Sequence, residues 1–140
     1  MASVLAVCLS REKGVPKTPV ESAELKIGHG LAGDAHAGAG RRQVSLLGRE
    51  SLSNLAFPAV SGAFAENILT EGISLSGLPL GTRLRVGGAL LEVTQIGKEC
   101  HSACAIREKT GDCVMPREGV FAVVLEGAVI RAGDAVEVGP

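Results

Sequence analysis

Three of the four cysteines and one of the three histidines lie in the segment GKECHSACAIREKTGDC, residues 97–113. Cys100 and Cys104 are four residues apart, so a helix would place both thiols on one face. Together with His101 and Cys113 they offer four ligands of the kind that zinc and other soft or borderline metals prefer. Structural zinc sites usually contain two closely spaced ligand pairs, however, and the second pair is missing here. A closed zinc site is therefore one hypothesis for this segment.

A single reactive cysteine is the second hypothesis. Cys100 follows an apolar strand pattern at the point where a helix would begin, and the free N–H groups and dipole of a helix N-terminus stabilise a thiolate. Lys98 and His101 flank Cys100 and would act in the same direction. A thiolate is the form that sulfur transfer and the ligation of a soft metal require. A third hypothesis treats the three cysteines as small residues packed beneath a loop. The local pattern alone leaves the three open.

A glycine-rich stretch, GHGLAGDAHAGAGRR at residues 28–42, is the other candidate for chemistry. It has no hydrophobic periodicity, and long irregular loops in compact domains usually serve binding. Its backbone N–H groups, with Arg41 and Arg42 as anion clamps and Ser45 as a donor, could hold a phosphate. The stretch lacks the Lys-Ser/Thr ending of a P-loop and the strand–helix context of a dinucleotide fingerprint.

Four polar residues in or near this stretch are further candidates. His36 could orient a substrate or donate a proton, whereas Asp34 could instead fix the loop through its own backbone hydrogen bonds. Glu66 and Asn67 precede an apolar segment, and a carboxylate beside an amide can recognise the donor and acceptor edge of a heterocycle. The alternative for this pair is a turn or a cap.

The elements that must position these residues are predicted to be mainly strands. Apolar residues make up 46% of the chain but only three are aromatic, so the core must be aliphatic. Nineteen glycines and six prolines predict many tight turns and short strands. Apolar segments predict strands at residues 3–10, 43–48, 82–86 and 89–93, and helical spacing predicts short helices over 49–57, 100–111 and 118–127. Gly87-Gly88 predicts a two-residue hairpin turn, and Cys8 in the first strand is predicted to be a buried, inert thiol.

Composition excludes several functional classes. The formal net charge is −1, and no basic stripe predicts nucleic-acid binding. The longest apolar runs are too short to cross a bilayer, and the first ten residues lack the features of a signal peptide. The sequence therefore predicts one cytoplasmic domain, residues 1–140, without membrane or nucleic-acid partners and with reduced thiols.

Five segments occur in the order found in MOSC domains, which are named after the C-terminal domain of molybdenum cofactor sulfurase. They are GLAGDAHAG, RQVSLL, FAENILTEGI, LPLGTRLRVGGALLEVTQIGKEC and PREGVFAVVLEGAVIRAGDAVEV. The chain thus resembles a single MOSC domain over about residues 4–138. The resemblance implies a mostly β fold with a few short helices, a β-barrel of the type related to the pyruvate-kinase barrel domain.

The resemblance also implies that the chain binds the molybdenum cofactor, a molybdopterin. The signature cysteine of the family falls on Cys100, which ligates molybdenum in MOSC enzymes. In sulfurase-type members this cysteine is proposed to carry sulfur received from a pyridoxal-phosphate desulfurase. By the same match, Arg42, Gln43 and Ser45 would line the pterin-phosphate site. The pocket would contain Asp34, His36, Glu66 and Asn67.

Departures from the family pattern limit the function. Many members have an arginine between the aspartate and histidine where this chain has Ala35. The chain has no electron-transfer or desulfurase domain, so a cysteine desulfurase, cofactor-synthesis proteins or an electron donor would be separate partners. Its cysteine segment resembles short, stand-alone MOSC proteins. The leading hypothesis is a protein that carries sulfur or cofactor through Cys100 during cofactor maturation.

Two alternatives accompany this hypothesis. One is an enzyme, a small molybdenum-dependent reductase of N-hydroxylated compounds that uses a separate electron donor. The other is a zinc-binding module made of Cys100, His101, Cys104 and Cys113.

Overall fold

The computed structural model describes residues 2–12, 17–35, 37–38, 40, 42–49, 66–97 and 119–139. The helices predicted over 49–57 and 100–111 lie almost wholly outside these residues. Within them the chain is mostly β, as the sequence predicts, and helical structure is limited to 3-10 turns such as Leu75–Gly77. No helix of this described part is long and apolar enough to cross a membrane. The strands are β1 (Ser3–Leu9), β2 (Thr18–Val20), β3 (Ser22–Lys26), β4 (Gly30–Leu31), β5 (Val44–Gly48), β6 (Ile68–Glu71), β7 (Arg83–Val86), β8 (Ala89–Ile96), β9 (Val120–Glu126), β10 (Ala128–Arg131) and β11 (Val136–Gly139).

These strands form two sheets. An eight-stranded sheet has the order β11-β7-β8-β9-β5-β6-β1-β2, and a three-stranded sheet has the order β10-β3-β4. All strand pairs are antiparallel except β5 and β6, which run parallel. An isolated antiparallel bridge between Ser3 and Ala135 brings β1 near β11, but the described strands do not close into a barrel. The predicted barrel therefore stays a prediction.

One aliphatic core connects the two sheets. Leu25 and Ile130 of the smaller sheet belong to the same buried cluster as Val7, Leu46 and Leu91 of the larger one. This cluster consists of Val, Leu, Ile and Ala side chains. The core is therefore of the kind that a chain with three aromatic residues must build.

The hairpin predicted at Gly87-Gly88 is confirmed. β7 and β8 pair in an antiparallel register that ends with Val86 opposite Ala89, leaving two residues for the turn. Gly87 has a φ of 56°, the left-handed conformation that primed hairpin turns require and that glycine adopts without steric cost.

The helix predicted over residues 118–127 is wrong, because most of this segment is β9. Val120 and Val124 are β-branched, which restricts their rotamers in a helix and suits a strand. The segment also pairs with β8 on one side and with β5 on the other. These long-range pairings satisfy its backbone, and the local pattern that suggested helical spacing does not report them.

Candidate functional site

Polar residues from three distant segments meet in the larger sheet where β1 ends and where β5 and β6 begin. The backbone N–H of Cys8 donates to the carbonyl of Asn67 at 2.7 Å, and the backbone N–H of Asn67 donates to the carbonyl of Ser45 at 2.9 Å. The side chains of Ser45, Glu66 and Asn67 are buried here. The structure thus brings together three residues that the sequence proposed as site residues.

Asn67 directly precedes β6, the strand that pairs antiparallel with β1 on one side and parallel with β5 on the other. Its backbone N–H donates to Ser45, so it does not complete the exchange of hydrogen bonds with Cys8 that a regular antiparallel pair makes. The Asn67 side chain supplies the donor instead, because its Nδ2 donates to the Cys8 carbonyl at 3.1 Å. Its Oδ1 accepts from the Ser45 backbone N–H at 3.0 Å and from the Ser45 hydroxyl at 3.1 Å. An amide is needed here because it offers a donor and an acceptor together.

A buried ion pair lies next to this junction. The Lys17 ammonium donates to Asp34 Oδ1 at 2.7 Å, and both side chains are 0% exposed. The same carboxylate oxygen accepts from the backbone N–H of Ser10 at 3.0 Å. Asp34 is therefore bound from outside the glycine-rich loop that carries it. Local sequence does not reveal the burial of Lys17, since VPKTPVE has the composition of an exposed polar loop.

Burial, charge and hydrogen bonds together shift the pKa values of two groups in this cluster. Burial alone would raise the pKa of Asp34, but hydrogen bonds from Lys17 and Ser10 and the positive charge of Lys17 hold it below its ordinary value. The pKa of the Cys8 thiol is raised to about 12, mainly by burial and also by the negative charge of Glu66, while the positive charge of Lys17 opposes both effects. The prediction that Cys8 is a buried, inert thiol is confirmed, since a thiol at neutral pH is a poor nucleophile.

Gln43 braces the end of the glycine-rich loop. Its Nε2 donates to the carbonyl of Gly40 at 3.2 Å, and its Oε1 accepts from the backbone N–H of Val124 at 3.0 Å. The Gln43 backbone passes so close to Gly30 of β4 that a Cβ added to Gly30 would collide with the Gln43 carbonyl oxygen. Gln43 is 5% exposed and therefore acts mainly as a link between the loop and β9.

The loop itself presents an open surface. Gly33, Gly38 and Gly40 all have positive φ angles, and a Cβ added to any of them would have no atom of the described residues within 4 Å. Arg42 is exposed, and its Cζ lies 5.8 Å from the centroid of the Phe121 ring, within the range of a cation–π contact. An exposed guanidinium at the end of such a loop can bind an anion.

The remaining predicted site residues lie outside the described residues: His36, Arg41, Lys98, Cys100, His101, Cys104 and Cys113. Among the residues that are described, no group of three or more His, Cys, Asp or Glu side chains could hold a metal ion. The chain leaves the described part at Gly97 and re-enters it at Gly119, and the Gly97 N–H donates to the Gly119 carbonyl at 2.6 Å.

This connection between Gly97 and Gly119 adjoins the strands of the polar cluster. Ile96 pairs with Val120, Val120 pairs with Leu46, and Leu46 pairs with Ile68. Ser45 and Asn67 directly precede the last two residues of this row. Cys100 is four residues beyond Ile96 in the sequence.

Comparison with known proteins gives one family and several similar folds. The model of the MOSC domain matches residues 33–137. The YuaD protein from Bacillus subtilis has a TM-score of 0.79 and 17% identity, over 97% of this chain and 94% of that one. YiiM from Geobacillus stearothermophilus has a TM-score of 0.77 and 19% identity, over 100% and 76% of the two chains. YiiM from Escherichia coli has a TM-score of 0.72 and 22% identity, over 100% and 70%. A comparison with curated protein sequences finds no match.

Proposed function

The chain belongs to the MOSC domain family, and from this premise we propose that it binds the molybdenum cofactor and carries sulfur or the cofactor through Cys100. The observation that supports the proposal is the meeting of Asp34, Ser45 and Asn67 around the end of β1. These residues come from separate segments of the chain, and the family resemblance assigns all three to the cofactor site. Their convergence holds the glycine-rich loop against the sheet.

The described residues fit the anionic part of a molybdopterin. Arg42 is exposed, and the backbone beside Gly38 and Gly40 is open. Under the proposal, the exposed Arg42 guanidinium binds the phosphate, with Arg41 and His36 in the same loop, because the Gly38 N–H already donates to the His29 carbonyl at 2.7 Å. The buried Asp34 and Gln43 hold that loop in place, and Ser45 and Asn67 lie beside them in the larger sheet. When bound, the cofactor supplies a redox-active metal held by a dithiolene.

Cys100 is the proposed nucleophile and molybdenum ligand. Its thiolate would attack the outer sulfur of a persulfide on a cysteine desulfurase, so that the S–S bond of the donor breaks, Cys100 gains the sulfur and the desulfurase thiolate leaves. The attack requires a thiolate. Lys98 and His101 are the neighbouring residues that would stabilise it.

The test compares Cys100→Ser with a matched variant of another cysteine. Each protein is incubated with a cysteine desulfurase and cysteine, and persulfide is measured by mass spectrometry. The molybdopterin and molybdenum that each protein retains are measured in parallel. Cys100→Ser is expected to lose persulfide and metal retention while its fold survives. Cys8→Ala is expected to keep both, because Cys8 is buried. Retention of both by Cys100→Ser would refute the role of this cysteine.

The other hypotheses from the sequence stay predictions. A reductase would turn over a hydroxylamine or amidoxime when cofactor and an electron donor are added, whereas a carrier would not. The zinc module rests on four ligands that all lie outside the described residues. A closed barrel and a cytoplasmic location are likewise expectations from the sequence.

A further inference from the structure

We propose that Lys17 is a positioning residue, whose buried ion pair with Asp34 fixes the start of the glycine-rich loop on the end of β1 and thereby enables the loop to bind an anion. The binding part of this inference rests on the proposed function. The docking part concerns the protein without any ligand and can be tested separately.

The geometry shows what Lys17 holds. Its ammonium contacts Asp34 Oδ1 at 2.7 Å and Ser10 Oγ at 3.3 Å. Ser10 binds the loop through both polar groups of its own backbone. Its N–H donates to Asp34 Oδ1 at 3.0 Å, and its carbonyl accepts from the Ala35 N–H at 2.7 Å. Lys17 therefore contacts both side chains of this junction, the Asp34 carboxylate and the Ser10 hydroxyl.

Lys17 acts through Asp34 and not on a ligand. Its side chain is 0% exposed, so a ligand arriving from solvent does not meet the ammonium. Beyond Asp34, the described part of the loop is exposed to solvent at Gly40 and Arg42. A buried carboxylate is costly unless it is paired and hydrogen-bonded, so the docked position of Asp34 depends on the charge of Lys17.

A second carboxylate makes this charge more important. Glu66 is 0% exposed, and its negative charge and the positive charge of Lys17 act in opposite directions on the Cys8 thiol. Removing Lys17 alone would leave Asp34 and Glu66 as buried acidic groups without its compensating charge. The variant Lys17→Met is therefore expected to lose stability as a whole, and a second variant is needed to isolate the loop.

The decisive protein is the double variant Lys17→Met/Asp34→Asn, which removes both charges and nearly keeps the volumes. It is compared with the wild type and with Lys26→Met, which removes an exposed lysine from β3. Amide hydrogen exchange in the ligand-free protein is followed at Ala35, which reports loop docking. It is also followed at Val93, whose N–H donates to the Thr82 carbonyl at 2.9 Å within the larger sheet. Binding of molybdopterin released from a molybdoenzyme is then measured.

The double variant is expected to exchange the Ala35 amide at least tenfold faster than the wild type, with Val93 unchanged, and to bind molybdopterin at least tenfold more weakly. Lys26→Met is expected to match the wild type in all three measurements. A purely structural role would move Ala35, Val93 and the unfolding midpoint together. Wild-type exchange at Ala35, or wild-type affinity despite faster exchange, would overturn the inference. If the wild type binds no molybdopterin, the proposed function fails, and the Ala35 exchange still decides whether Lys17 docks the loop.

Discussion

Replacement of Asn67 by alanine removes the hydrogen bonds that the Asn67 side chain makes to Cys8 and Ser45. The Cys8 carbonyl loses its donor at 3.1 Å, and the N–H and hydroxyl of Ser45 lose their acceptor at 3.0 and 3.1 Å. A buried backbone group that loses such a partner costs about 1–3 kcal/mol, so the Cys8 carbonyl and the Ser45 N–H together predict a loss of about 2 kcal/mol or more. The Ser45 hydroxyl still accepts from the Asn67 backbone N–H at 3.0 Å. The backbone bonds between Asn67 and its neighbours remain.

The free energy of unfolding of Asn67→Ala is measured by urea denaturation, followed by circular dichroism. Ser45→Ala removes only the hydroxyl that bonds to Asn67 and leaves the bonds of the Asn67 side chain to the Ser45 N–H and the Cys8 carbonyl. It is expected to cost about 1 kcal/mol. Val129→Ala, an exposed position in β10, serves as the control and should change stability by less than about 0.5 kcal/mol. If Asn67→Ala costs less than Ser45→Ala, the assignment of Asn67 as the junction residue is refuted.

Three further predictions concern stability, and each is measured by denaturation. Gly30→Ala should cost about 2 kcal/mol or more, because Gly30 has a φ of 119° and its new Cβ would contact the Gln43 carbonyl, whereas Gly77→Ala should be nearly neutral; equal losses would contradict this. Above pH 9, stability should fall by about 1.4 kcal/mol per pH unit, since the unfolded Cys8 thiol loses its proton near 9.0 and the folded thiol keeps it to about 12; Cys8→Ala should flatten that slope. Below about pH 4, stability should fall as well, because the unfolded carboxyl of Asp34 takes up a proton near 3.8 while the folded one stays ionised. Asp34→Asn should weaken that acid dependence, and an unchanged slope would count against the ion pair.

Sequence patterns predicted the features that depend on neighbouring residues. Gly87-Gly88 determines its hairpin through a local turn geometry, and the apolar run around Cys8 predicts a buried strand whatever its partners are. Both are confirmed. β9 was predicted as a helix because the pattern around Val120 does not show that β5 and β8 pair with it on both sides.

The polar cluster shows where local patterns stop. The sequence identifies Glu66 and Asn67 as candidates but does not decide between a binding role and a turn or cap. The partner of the Asn67 side chain, the Cys8 carbonyl, is 59 residues away. Lys17 was missed because its partner, Asp34, is 17 residues away and nothing between them has a periodicity that links the two. The burial of the Lys17–Asp34 pair depends on how β1, β2 and the glycine-rich loop pack together. The sequence of any one of these segments does not contain that information.

The metal content of the purified protein tests the central claim most directly. Wild type and Cys100→Ser are expressed in cells that make molybdenum cofactor, purified anaerobically and measured by inductively coupled plasma mass spectrometry with a parallel assay of bound pterin. Molybdenum and pterin are expected in matching amounts in the wild type, and molybdenum is expected to be lost in Cys100→Ser. Zinc at unit stoichiometry, with no molybdenum and no pterin, would contradict it.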